Sequence, residues 1–458
     1  MDIDVSRLSQ TSRTAVRRDR RRSLATAAAL VLLVVSARVR YTGSDARLNL
    51  LTAQALLETG SPRLDRYLTP EIRERSVSAP WTIWSFGGHL YNLYPPGASL
   101  LALPAVAAAR LAGLEMTNPR HDEALQVFLS ALLVAALFLV LERTARPFLP
   151  PGAAFLAALS FGLGTSIAST FGTALWSHGP AALFGALALL HLVRARAAER
   201  TPDGLLLGAL AGAAFLCRPT AALPAALLFL LLVVRHRHEA FRYAISGGAC
   251  VALLVAGSLA VLGIPLPAYY IPRSWPVNGS PLVGLLGVLA SPGRGLFAFS
   301  PFLVAGLAGW GSPRLRRDPL FLLASAWAAL QVAVVCRNAD WWGGWSYGPR
   351  LLSDSLPAWF LLVVLSAADG APRLRGTVRA AVAALAGAAV LFSIGVHSVQ
   401  GLFNRATWSW NDRPNVYDAP REKLFDPANP QFLATRERND RAATRWETSR
   451  PSTSGPTR

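Results

Sequence analysis

Residues 17–35 read RRDRRRSLATAAALVLLVV, and this stretch decides how the rest of the chain is read. A basic tract running straight into an apolar segment is the start of a membrane span whose basic flank stays in the cytoplasm. Arg38 and Arg40 follow without a small-residue cleavage site, so the sequence predicts an uncleaved first span over 23–39. Arginine recurs in the same way at 143–146, 194–200, 235–242, 314–317 and 373–379, between apolar runs such as 131–141, 181–193, 251–264 and 360–368. Placing all of these short basic loops inside gathers Asp45, the turn Tyr94-Pro95-Pro96-Gly97, His178, Arg294 and the loop 340–350 on the outer face.

Composition points the same way. Of 458 residues, 52% are hydrophobic and the mean hydropathy is +0.35, values of a polytopic membrane protein. The net charge of +19 does not indicate nucleic acid. Lys423 is the only lysine, and much of the arginine sits where membrane topology wants it. Cys217, Cys250 and Cys336 are widely spaced beside apolar runs, without CxxC spacing, and read as small buried side chains.

The predicted fold is all-α, a polytopic transmembrane bundle of about 11 spans at about 20 residues each. Residues 1–22 form a disordered basic cytoplasmic tail and residues 23–398 the transmembrane domain. Within that domain, residues 40–122 form a mixed outer loop with surface helices, one of them over 45–58. Residues 98–114 are short for a span and are read as interfacial. Spans follow at 123–141, 152–172, 176–193, 243–264, 296–311, 319–336, 351–368 and 380–398, with a hairpin over 204–234 broken at Arg218-Pro219. Residues 399–458 form an outer tail whose aromatic first half packs on the bundle and whose end, 449–458, is disordered. The N-terminus is cytoplasmic and the C-terminus extracytoplasmic.

Asp45 lies just above the bilayer surface, where a carboxylate can take a proton from an acceptor hydroxyl; Gly43-Ser44-Asp45 also reads as a helix cap. Arg294, in Ser-Pro-Gly-Arg-Gly, and Arg350, in Tyr-Gly-Pro-Arg, run against the inward bias of arginine. Each suits a phosphate, or alternatively a structural pair such as Arg350 with Asp354. Asp340, Trp341 and Trp342 crowd one loop, as an aromatic belt or as a sugar-stacking wall. His89, Tyr94, Pro95, Pro96 and His178 complete the candidate pocket, with His178 open to a structural or an acid–base reading. No metal-ligand pattern and no nucleotide-binding loop occurs.

The first span, the acid soon after it, the surface helix AQALLETG (53–60) and the aromatic-Pro-Pro turn together resemble the GT-C superfamily of polytopic glycosyltransferases. That superfamily includes protein mannosyltransferases and aminoarabinose transferases. CRPTAALP (217–224), SPGRGLFAFSP (291–301) and WWGGWSYGPRLLSDSLP (341–357) are similar to segments of its bacterial members. The chain departs from the pattern at Ala46, where a second acid is usual, and at Tyr94, where lysine is frequent. The resemblance implies a multi-pass protein of the bacterial plasma membrane. It implies a polyprenyl-phosphate sugar as donor and a glycan, lipid or protein as acceptor, with a divalent metal left open. Asp45 would then be the catalytic base of an inverting transfer, and Arg294 and Arg350 would hold the donor phosphate. A non-catalytic assembly protein of the same fold, or a lipid or polysaccharide transporter, are the alternative readings. Polar groups within the spans are few, Arg218 and Gln331 among them, which weighs against transport.

Overall fold

The computed structural model describes residues 5–43, 45–68, 82–271, 277, 280–418 and 420–449, with side chains from Arg18 onward. Helix α1 (Val5–Val35) begins inside the basic segment for which disorder is predicted. Neither proline nor glycine interrupts it, so the arginine tract and the apolar run share one helix. The predicted disorder of 450–458 lies outside the described residues.

Helix α2 (Asn49–Thr59) starts four residues later than the predicted surface helix and ends at Gly60, whose φ of +67° suits glycine. A hairpin follows, β1 (Ile83–Phe86) paired antiparallel with β2 (His89–Asn92). No strand is predicted here. Its signal is Gly87-Gly88, both at positive φ, between alternating apolar residues. Helix α3 (Gly97–Leu111) packs on α2, and its 15 residues are too few for a full crossing.

The bundle proper comprises α4 (Pro119–Ala145), α5 (Pro151–Gly164), α6 (His178–Ala197), α7 (Gly204–Cys217), α8 (Ala222–Arg235), α9 (Arg237–Leu262), α10 (Pro281–Ala290), α11 (Pro319–Arg337), α12 (Leu356–Gly370) and α13 (Gly376–Ile394). Six helical segments among the described residues are long and apolar enough to cross a membrane, and six shorter apolar ones accompany them. Leu253 on α9 and Leu385 on α13 are each 73% exposed, as lipid-facing side chains are. Phe138, Phe161 and Phe360 are buried at the centre, with the Phe161 and Phe360 rings edge to face at 4.9 Å.

Two predicted spans are irregular. The segment 152–172 ends its α-helix at Gly164, turns through an extended Thr165 and resumes as a π-turn, Ile167–Phe171. The segment 296–311 is a short turn followed by a 3-10 helix, Pro301–Gly311. Pro301 cannot continue an α-helix. Gly306 and Gly309 lie against Leu362 and Phe321, where a Cβ would have little or no room. The hairpin over 204–234 forms as predicted, broken at an extended Arg218. Gly204, Gly208 and Gly212, four residues apart, let α7 lie against the backbone and small side chains of α9.

Arginine tracts and candidate site residues occupy opposite ends of one helix. His178 begins α6, and Arg194 and Arg196 lie near its end, about 25 Å away at 1.5 Å per residue. Arg196 pairs there with Asp318 at 2.8 Å.

The C-terminal tail packs on the loop 340–348. Trp341 meets Phe425, Trp342 meets Tyr417 and Trp345 meets Trp408, at ring separations of 5.9 to 6.0 Å. The tail ends in α14 (Arg436–Ser449).

Candidate active site

Asp45 hangs from a fixed backbone. The segment after α1 donates Arg38 N and Val39 N to the Leu402 carbonyl and Tyr41 N to the Thr173 carbonyl, at 2.8 to 3.0 Å. The predicted capping role of Asp45 is not realised: Leu48 precedes α2, and no side chain caps it. Instead Asp45 Oδ1 accepts from the Tyr94 hydroxyl at 2.8 Å and Oδ2 from Arg350 Nη1 at 2.5 Å. The carboxylate is 13% exposed and the guanidinium 8%. Burial opposes ionisation of Asp45, but the Arg350 charge and the two hydrogen bonds prevail and hold its pKa below the ordinary carboxylate value. Burial, and then the Asp45 charge, push the Tyr94 hydroxyl well above its ordinary value, so it stays a donor.

Arg350 is held on three sides. It donates to Asp45 and to the Gly343 carbonyl at 2.6 Å, and it lies 4.3 Å from the Trp176 ring centroid. Its Nε is buried without a hydrogen-bond partner among the described residues. The alternative pairing of Arg350 with Asp354 is not found. Both lie in a 3-10 turn, Arg350–Ser355, with about three residues per turn, so positions i and i+4 diverge.

Asp354 therefore builds a second centre. Its Oδ1 meets His178 Nδ1 at 2.7 Å, and its Oδ2 accepts from Thr220 Oγ1 at 2.9 Å and lies 3.5 Å from Arg218 Nε. Arg218 donates to the Tyr269 hydroxyl at 3.1 Å, and the Tyr269 ring packs on Tyr94 at 5.3 Å. A continuous network thus runs from Asp45 through Tyr94, Tyr269 and Arg218 to Asp354 and His178. It needs the helix break at Arg218-Pro219. Gly97 makes the junction possible, since a Cβ there would lie 2.5 Å from the Cys217 backbone.

An apolar cavity of about 390 Å³ opens beside this network. Tyr94 and Pro96 line it together with Trp84, Leu216, Leu254 and Val261. Tyr94 both faces this cavity and binds Asp45.

The other predicted site residues lie elsewhere. Pro95 is buried under the turn. His89 is on the half-buried hairpin, 3.2 Å from Asp65. Asp340 turns the loop, its carbonyl accepting from Gly343 N at 2.9 Å, and Trp341 and Trp342 are buried against the tail, so the two tryptophans form a packing surface, not the wall of this cavity. Arg294 does not fit a phosphate role. Its Nε and two terminal nitrogens donate to the Trp342, Gly293 and Gly344 carbonyls, to Asn411 Oδ1 and to Gln431 Oε1. These five acceptors match the five N–H groups of a guanidinium. Asp354 and Tyr269 are absent from the predicted pocket. Asp354, an acid in the first turn of an apolar segment, is the signal that could have revealed the second centre. Among the described residues no group of three or more His, Cys, Asp or Glu converges as a metal site.

Residues 114–260 match the sequence model of the dolichyl-phosphate-mannose-protein mannosyltransferase family. No curated protein matches the chain. Two crystal structures of ArnT from Cupriavidus metallidurans are similar to it, one in the apo state and one bound to undecaprenyl phosphate. The apo structure has a TM-score of 0.49 at 14% identity, covering 95% of this chain and 89% of that one. The bound structure has a TM-score of 0.47 at 15% identity, covering 92% and 87%. The matched residues 114–260 run from α4 into α9 and include His178 and Arg218, within an all-α bundle of apolar helices.

Proposed function

We propose that this protein transfers a sugar from a polyprenyl-phosphate carrier to an acceptor hydroxyl at the Asp45 end of the bundle, with inversion. The observation that carries this reading is the double role of Tyr94, which lines the apolar cavity and donates to Asp45. A prenyl chain in that cavity brings its phosphate to the carboxylate and to two arginines. The matched family, by its description, uses dolichyl-phosphate mannose, a donor of the same chemical kind.

In this reading Asp45 takes the acceptor proton, the acceptor oxygen attacks the anomeric carbon, and the bond from that carbon to the phosphate oxygen breaks. The phosphate leaves with the electron pair. Arg350 Nε and Arg218 Nε, buried and without hydrogen-bond partners among the described residues, suit that charge. A phosphate that draws Arg350 toward itself loosens its hold on Asp45, which makes the carboxylate a stronger base once the donor is in place. His178 presents Nδ1 to Asp354, so in its neutral form Nε2, also unpartnered, is an acceptor for a sugar hydroxyl.

The test uses membranes carrying wild type or Asp45→Asn and a panel of radiolabelled polyprenyl-phosphate sugars. Transfer by wild type alone is the expected result. Equal transfer by a well-expressed Asp45→Asn protein overturns the reading.

A further inference from the structure

The tail holds a further cavity, apart from the Asp45 centre. It measures about 380 Å³, within the range of about 300–1,000 Å³ usual for small-molecule sites. Its wall includes Glu422, Lys423, Asp426, Asn429, Arg445 and Trp446. Two of these side chains are deeply buried: Asn429 is 3% exposed and Lys423 6%. Asn429 Oδ1 has no hydrogen-bond partner among the described residues, and an orphaned buried acceptor is costly unless a ligand or water serves it. Lys423 is anchored by a hydrogen bond to the Pro414 carbonyl and by the Trp410 ring at 4.6 Å, and an ammonium has three donors. Asp426 and Arg445 are only loosely paired, at 3.5 Å.

The chemistry of this wall selects a ligand class. Arg445 and the partly protonated Lys423 offset most of the charge of Glu422 and Asp426, which disfavours a strongly charged ligand. Trp446 offers an aromatic face, which suits the apolar C–H face of a sugar ring. The amide, amine, carboxylates and guanidinium are the donors and acceptors that ring hydroxyls require. We infer that this cavity is a binding subsite for a neutral saccharide unit of the acceptor, which makes that acceptor a glycan. The inference rests on the transferase reading above for the word acceptor, and on the cavity alone for the saccharide.

The placement supports the link. Arg294 and Gln431 tie the tail to the loop 340–348, whose Gly343 carbonyl holds Arg350. A glycan held by the tail is therefore held at the end of the molecule that carries Asp45.

The experiment is calorimetric titration of the full-length protein in nanodiscs with two neutral disaccharides, mannobiose and galactobiose, and with glucuronate as a charged control. Saturable binding of at least one disaccharide, weakened roughly tenfold by Asn429→Leu and by Trp446→Ala, is expected. Glu422→Gln, on an exposed side chain, serves as a milder variant if either of these fails to fold, and it should weaken binding severalfold. Asp45→Asn should bind the disaccharide as wild type does while losing transfer. No disaccharide binding by a folded, transfer-competent wild type overturns the subsite and leaves the transferase reading standing. Binding that ignores all three tail substitutions, or preference for glucuronate, overturns it as well. Disaccharide binding by a protein that transfers no sugar sinks the transferase reading instead.

Discussion

Asp45 and Arg350 are 305 residues apart in sequence and 2.5 Å apart in space. Their pairing closes the bundle at one end, because Asp45 follows the first helix and Arg350 precedes the last part of the core. Removing one member of a buried pair leaves a charge without compensation, at about 3–5 kcal/mol. Arg350→Met should therefore lower the melting temperature more than the double variant Asp45→Asn/Arg350→Met does. The coupling should be about 1–3 kcal/mol in a double-mutant cycle. Additive effects on thermal unfolding would mean that the pair does not hold the site together. On transfer both single variants should fall by about 10²–10⁴-fold.

Tyr94→Phe separates the hydrogen bond from the shape of the cavity. The ring still lines the cavity, but Asp45 loses one donor, so its pKa moves up toward the ordinary carboxylate range. Activity that needs ionised Asp45 has an acid limb at the pKa of the folded carboxylate. In wild type that limb lies below the ordinary carboxylate range, and in Tyr94→Phe it should move toward neutral. The sign for stability is the same. A depressed carboxylate contributes stability above its unfolded pKa and loses it as pH falls through the folded one. A pH–rate profile that does not move would show that Tyr94 acts only by shape.

Much of this arrangement was legible in the sequence. The break at Arg218-Pro219, the α-helical class and four members of the network, Asp45, Tyr94, His178 and Arg350, follow from periodicity, proline and the placement of arginine. What was not legible is pairing at a distance. Asp354 is the alternative partner that the sequence offers Arg350, because an α-helix puts i and i+4 together, and the 3-10 turn defeats that rule. Arg294 looks like a ligand arginine in a glycine-rich mouth. Its acceptors Asn411 and Gln431 come from a tail more than a hundred residues away, and no local pattern announces them. The hairpin of β1 and β2 is different, because Gly87-Gly88 between alternating apolar residues carries its own signal.

Arg294→Met should behave as a folding variant. It leaves up to five protein acceptors without their donor in a buried place, each worth about 1–3 kcal/mol. The tail segment 405–449 should become sensitive to limited proteolysis while the membrane-embedded bundle stays protected. Where the protein remains folded, the KM for the lipid-linked donor should stay near that of wild type. A large rise in donor KM with an intact, protected tail would restore the phosphate role.

Lys423 gives the tail a pH response. Burial, and then the nearby Arg294 charge, lower its pKa to about 7. From about pH 7 up to its unfolded pKa of about 10.4, the unfolded chain binds a proton that the folded tail does not, so stability rises with pH across that window. The slope is at most about 1.4 kcal/mol per pH unit. Below pH 7 both states carry the proton and the slope vanishes. Lys423→Met keeps the stem over Trp410 and removes the ionisable group, so it should flatten the dependence. Amide exchange of the tail between pH 7 and 9, corrected for intrinsic rates, measures it. Equal slopes in wild type and Lys423→Met would show that Lys423 is charged in the folded tail.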